Sequence, residues 1–142
     1  MRNIILEKIS RLFLRVMAVF AVLLLLRGHN NPGGGFIGGI IIATGFILYG
    51  IVFGSASIEK MLYFNTRKWM GVGLLLVFIA VLLPVFWGLP PLTGMWYINN
   101  FPIFGELYLG TPLLFDTGIF LAVTGVILSI VITIMEVLKW NS

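Results

Sequence analysis

Two side chains offer most of the chemistry: His29, the single histidine of a 142-residue chain, and Asp116, a carboxylate set inside an apolar run. Histidine titrates near neutral pH, so His29 is a candidate to handle protons or to shape a turn through its hydrogen bonds. A carboxylate in apolar surroundings is costly, which makes Asp116 a candidate for function. Around His29 the residues are unusual for their backbone. His29, Asn30, Pro32, Gly33, Gly34, Gly35, Phe36, Gly38 and Gly39 form one short polar and glycine-rich corner between apolar spans. Pro32 fixes a torsion and stops a preceding helix, while consecutive glycines permit torsions and close contacts that side chains forbid. With Asp116 these residues make the candidate set. A glycine-rich turn can also cradle phosphate, but no strand precedes this one and no Gly-Lys-Ser or Gly-Lys-Thr follows, so nucleotide binding is excluded. No Ser, His and Asp grouping points to nucleophilic catalysis. Glu59, Lys60 and Glu106 fall in loops, where solvation accounts for them.

The elements that position these residues follow from composition. The chain is 60% hydrophobic and 10% charged, with a mean hydropathy of +1.11, whereas soluble domains carry about 25% charged residues. It reads as an all-α integral membrane protein. Apolar runs allow four transmembrane helices over about 5–26, 36–54, 70–89 and 113–138, in one membrane domain, 1–142. About twenty helical residues cross the hydrocarbon layer. Runs such as Val72 to Phe86 are apolar on every face, which a membrane barrel does not allow. No small-residue cleavage site closes the first segment, which is therefore expected to be retained. There is no cysteine, which rules out disulfides and thiolate metal sites, and one histidine builds no metal cage. No cofactor is implied. The net charge of +4 comes from cations at the ends of apolar helices, so membrane lipids are expected partners and nucleic acid is not.

Short cytoplasmic loops collect Lys and Arg. Arg2, Lys8, Arg11 and Arg15 precede the first span, Lys60, Arg67 and Lys68 lie in the second connection, and the long connection 88–112 has no cation. Both termini are therefore expected in the cytoplasm. Leu12 to Leu26 would rise only about 22 Å as helix, so Arg15 and Arg27 are expected to snorkel to opposite headgroup layers. Ile5, Ile9, Leu12, Phe13 and Val16 share one face of that helix.

Gly39, Ala43, Gly50 and Gly54 line one side of the second span, and Gly118, Ala122, Gly125, Ser129 and Thr133 line one side of the fourth. Small residues at this spacing let helices approach closely where lipid removes the hydrophobic drive. The connection 88–112 is too long and apolar for a simple hairpin, and its Trp and Tyr suit the outer interface. Thr111 is expected to cap the last helix with Pro112 at its first position. Asp116 then lies about one turn inside, on a face shared with Phe120, Val123 and Ile127 and away from the small-residue stripe. Three readings remain for it: a headgroup-level carboxylate, a polar contact with another subunit, or an ion or proton relay. Spans two and three carry no Asp, Glu, Lys, Arg or His. A complete ion pathway needs such groups, so this chain is not expected to supply one alone.

The corner from His29-Asn30 through Pro32-Gly33-Gly34-Gly35-Phe36-Ile37-Gly38-Gly39 resembles the signature of the MnhB (MrpB) family, small subunits of the multisubunit Mrp-type cation/proton antiporters. Gly110-Thr111-Pro112-Leu113-Leu114-Phe115-Asp116-Thr117-Gly118 is similar to that family's entry into its last helix. The resemblance covers essentially the whole chain. It implies a multi-pass subunit of a prokaryotic inner-membrane complex that exchanges sodium or other monovalent cations for protons, a transporter part and not an enzyme. Its partners would be the other antiporter subunits, with Na+ and H+ as the transported ions. Similar subunits also occur in energy-converting membrane hydrogenases and related respiratory complexes. A small transporter working alone as an oligomer is the third reading.

Overall fold

The computed structural model describes residues 3–27, 34–63, 65–101 and 105–140. Helices α1 (Ile4–Arg27), α2 (Gly34–Phe53), α4 (Thr66–Leu82, continued by a 3-10 segment, Leu83–Trp87) and α5 (Thr111–Trp140) are each long and apolar enough to cross a membrane. A short helix, α3 (Ser55–Leu62), fills the connection after α2. Two antiparallel strands, β1 (Trp96–Phe101) and β2 (Gly105–Gly110), pair from Trp96 with Gly110 to Phe101 with Gly105. The spans are thus all helical, as expected. The connection 88–112, expected to be more than a simple hairpin, holds a strand pair at its centre.

Local chemistry explains the boundaries. Asn65 caps α4, its side chain accepting a hydrogen bond from the Arg67 N–H at 3.0 Å, so this span starts four residues before the expected position 70. Pro84 interrupts the α-helical ladder near its other end, and Gly88, at φ 72°, closes the 3-10 turn with its N–H on Pro84 and Val85 carbonyls. Gly54 has φ 93°, which lets α2 turn sharply into α3. The expected Thr111 cap takes another form. Its hydroxyl accepts from the Met95 N–H at 3.0 Å and donates to the Thr93 carbonyl at 3.3 Å, fastening the strand pair to the start of α5.

The spans pack as a row in the order α1, α2, α5, α4. Leu14 meets Gly45 and Ala21 meets Gly38, so α1 and α2 are antiparallel; Gly35 meets Asp116 and Gly50 meets Met135, so α2 and α5 run parallel; Gly73 meets Ala122 and Gly125 meets Met70, so α5 and α4 are antiparallel. This alternation places the starts of α1 and α4, the end of α5 and all of α3 at one end of the molecule. The starts of α2 and α5 and the strand pair lie at the other.

Two apolar clusters hold the row together. Leu14, Ala21 and Ile42 fill the α1–α2 seam, and Ala43, Ile58, Leu62, Leu128 and Ile132 join α2, α3 and α5. The apolar face expected on α1 points outward, with Ile5, Ile9, Leu12 and Val16 exposed, while Ser10, Leu14 and Ala21 are buried. In a membrane this is the natural arrangement, since lipid receives the large apolar side chains and small ones permit helix contact.

Candidate functional site

The glycine corner and the start of α5 come together at one seam. A β-carbon at Gly35 would strike the Asp116 carbonyl, so the two backbones meet with no side chain between them. One turn further, Gly38 sits between α1 and α5: its β-carbon would lie 2.9 Å from the Ala21 carbonyl oxygen and 3.1 Å from the Phe120 ring. Gly39 takes the neighbouring position, 2.9 Å from the Phe120 carbonyl oxygen on the same measure. Gly34, Gly35, Gly38 and Gly39 are all buried. The Thr124 hydroxyl donates to the Phe120 carbonyl of its own helix at 2.7 Å and lies 3.3 Å from the Gly39 carbonyl across the seam.

Four of the candidate residues therefore meet, Gly35, Gly38, Gly39 and Asp116, and Gly34 is buried at the start of the same helix. Phe36 does not join them, being half-exposed on the outer side of α2. His29, Asn30, Pro32 and Gly33 lie outside the described residues. Asp116 is partly buried in the second turn of α5, and its face does differ from the small-residue stripe, as the sequence indicates. That face meets α2. The stripe meets α4 instead, where β-carbons at Gly118 and Gly125 would come within 2.7 Å of the Gly73 carbonyl oxygen and the Met70 nitrogen. Helix α5 is thus packed on two sides by backbone-to-backbone contact.

Three contributors escaped the sequence reading: Gly73, Phe120 as a packing partner, and Thr124. Gly71 and Gly73 look equivalent in Gly71-Val72-Gly73, yet only Gly73 meets another helix, and nothing lies within 4 Å of a β-carbon at Gly71. Thr124, one turn after Phe120, was the readable signal for a polar contact across the seam.

A family model described as a domain related to the MnhB subunit of Na+/H+ antiporter matches residues 5–129, a stretch that includes the corner, all of α2 to α4 and most of α5. The chain belongs to this family. It is 38% identical over 134 residues to an Na(+)/H(+) antiporter subunit, the one designated B, of Alkalihalophilus pseudofirmus, covering 94% of this chain and 93% of that protein. It is 34% identical over 132 residues to the putative antiporter subunit mnhB2 of Staphylococcus saprophyticus, covering 93% and 94%. A similar match joins it to the mnhB2 protein of Staphylococcus haemolyticus, again at 34% over 132 residues. As an MnhB-family chain with bacterial relatives and four spans, it is a multi-pass protein of a prokaryotic cell membrane. In this chain the seam between α2 and α5 is where the two segments that carry the resemblance touch, at Gly35 and Asp116.

Proposed function

We propose that the chain is a non-enzymatic subunit of a multisubunit monovalent cation (Na+)/proton antiporter, with other subunits as partners, and that it serves assembly through its glycine seam. The match along nearly the whole length to proteins named as Na+/H+ antiporter subunits carries this reading. Those relatives favour the antiporter setting over a hydrogenase-type complex or an oligomer working alone. The lack of Asp, Glu, Lys, Arg and His in α2 and from Trp69 to Leu82 of α4 supports a chain that relies on other subunits for transport. Na+ and H+ are the ions of the complex. Asp116, held against the α2 backbone near one membrane face, is the position in this chain best placed to border an ion path.

The test is complementation of a strain lacking this subunit. With Gly39→Leu, co-purification of the other subunits and Na+/H+ exchange in vesicles should fall together, because the leucine would force α2 from α5. With Asp116→Asn, an assembled complex with altered cation dependence would place the carboxylate at the ion path; unaltered exchange would leave it a packing residue. For His29, loss of assembly in His29→Ala marks the corner as structural, and normal assembly with a changed pH profile marks proton handling. Sodium/proton exchange by the purified chain alone would defeat the proposal.

A further inference from the structure

A cationic groove lies at the opposite end of the molecule from the glycine seam. Arg11 and Arg15 stand one turn apart on α1, a spacing at which like charges repel. Both line a groove of about 490 Å³ that runs against Phe46 and Tyr49 of α2. Tyr49 also borders a second cleft, of about 300 Å³, lined by Ser57 and Lys60 of α3. Three cations from two helices thus line two adjoining hollows that share Tyr49 and Met61. Among the described residues no carboxylate lines either part; Glu7 stands one turn before Arg11, at ion-pair spacing, and Glu59 precedes Lys60, but neither borders the hollows.

Depth makes the charges informative. Leu14 faces Gly45, so Arg15 lies level with a point eight residues inside the end of α2 at Phe53, about 12 Å of helix. A cation there is costly in hydrocarbon unless its side chain snorkels to the headgroup layer, where lipid phosphates lie. The Arg11 guanidinium is 5.0 Å from the centre of the Phe53 ring, a cation–π contact that holds it at the mouth of the groove. The groove is therefore cationic at its mouth and apolar along Phe46 and the Leu14 side, which matches a phosphate joined to an acyl chain.

We propose that this groove binds the phosphate headgroup of an anionic phospholipid, with an acyl chain along the α1–α2 wall. The apolar wall argues for a lipid phosphate over free phosphate, and the three cations for an anionic over a zwitterionic headgroup.

The test uses the protein purified with whatever subunits accompany it, delipidated and then titrated with phosphatidylglycerol, phosphatidylcholine or inorganic phosphate, with bound lipid counted by native mass spectrometry. Phosphatidylglycerol retention should fall at least about tenfold in Arg11→Gln/Arg15→Gln/Lys60→Gln. Phosphatidylcholine retention should not change, and millimolar inorganic phosphate should not displace the lipid. Arg67→Gln/Lys68→Gln, which removes cations outside the groove, should retain phosphatidylglycerol as the parent does. An equal loss in that control would mean diffuse attraction and overturn the site. Displacement by inorganic phosphate would make it a soluble-anion site and overturn the lipid. Unchanged lipid with a subunit lost would assign the cations to a carboxylate on a neighbouring chain of the complex and overturn the proposal. Should the triple variant not assemble, Lys60→Gln alone must still weaken retention, and no change there rejects the proposal. Lipid counting needs no transport measurement, so its failure is separable from failure of the antiporter reading.

Discussion

At Gly35 a β-carbon would run into the Asp116 carbonyl, a backbone group that cannot rotate away as a side chain can. Overpacking of this kind typically costs about 1–3 kcal/mol. Gly35→Ala is therefore expected to lower the thermal stability of the purified chain and reduce its recovery in complexes. Gly71→Ala is the matched comparison. Nothing surrounds that position, and alanine is the better helix former by about 1 kcal/mol, so thermal unfolding in detergent should be unchanged or higher. Thr124→Val probes the hydrogen bond across the same seam. Such bonds in membranes are worth about 0.6 kcal/mol on average, and the 3.3 Å separation from the Gly39 oxygen is long. Its effect on the melting temperature should be the smaller one, ranking shape above hydrogen bonding. A Thr124→Val loss equal to that of Gly35→Ala would reverse the ranking.

Helix α3 shows how an element can be hidden in a loop. Ser55, Ile58 and Leu62 are buried while Ala56, Lys60 and Met61 are exposed, a helical pattern too short to stand out among apolar spans. Ile58 is fully buried in the cluster that joins α2, α3 and α5, beside the unshielded backbone of Gly50. Trp69 adds a hydrogen bond from its indole N–H to the Leu62 carbonyl at 3.4 Å. Removing Ile58 leaves a cavity, and such changes cost about 2–5 kcal/mol. Ile58→Ala should therefore raise hydrogen exchange across 55–63 and lower the melting temperature, whereas Met61→Ala, on the exposed side, should do neither. The four spans were legible because uninterrupted apolar sequence permits only helix in lipid. Their packing order was less so: the stripe Gly118, Ala122, Gly125 announced a close neighbour without saying whether α4 or α2 would fill it. Asp116 was placed on the correct face, and four crossings make α2 and α5 parallel, but its closeness to Gly35 depends on these two spans being neighbours, which no local pattern encodes. Thr111 was misread because its hydroxyl bonds residues sixteen and eighteen positions away, beyond the reach of capping rules.

In the molecule as a whole, the row of helices sorts charge by end. Lys8, Arg11, Arg15, Lys60, Arg67 and Lys68 gather at the end that contains α3, while the other end, with the strand pair, offers Arg27 among the described cations. Retention of Lys and Arg on the cytoplasmic side would put α3 inside the cell and the connection after α4 outside. The sequence provides its own means of measurement, since the chain contains no cysteine and any one introduced is a unique reporter. Ala56, on the exposed side of α3, and Leu92, 66% exposed in the connection after Trp87, are suitable positions. In intact cells a membrane-impermeant maleimide should label Leu92→Cys and leave Ala56→Cys unmodified until the membrane is opened. The opposite pattern would invert the molecule and place the cationic groove in the outer leaflet. Labelling of both from one side would contradict four crossings, because α4 with its 3-10 extension is what separates the two positions.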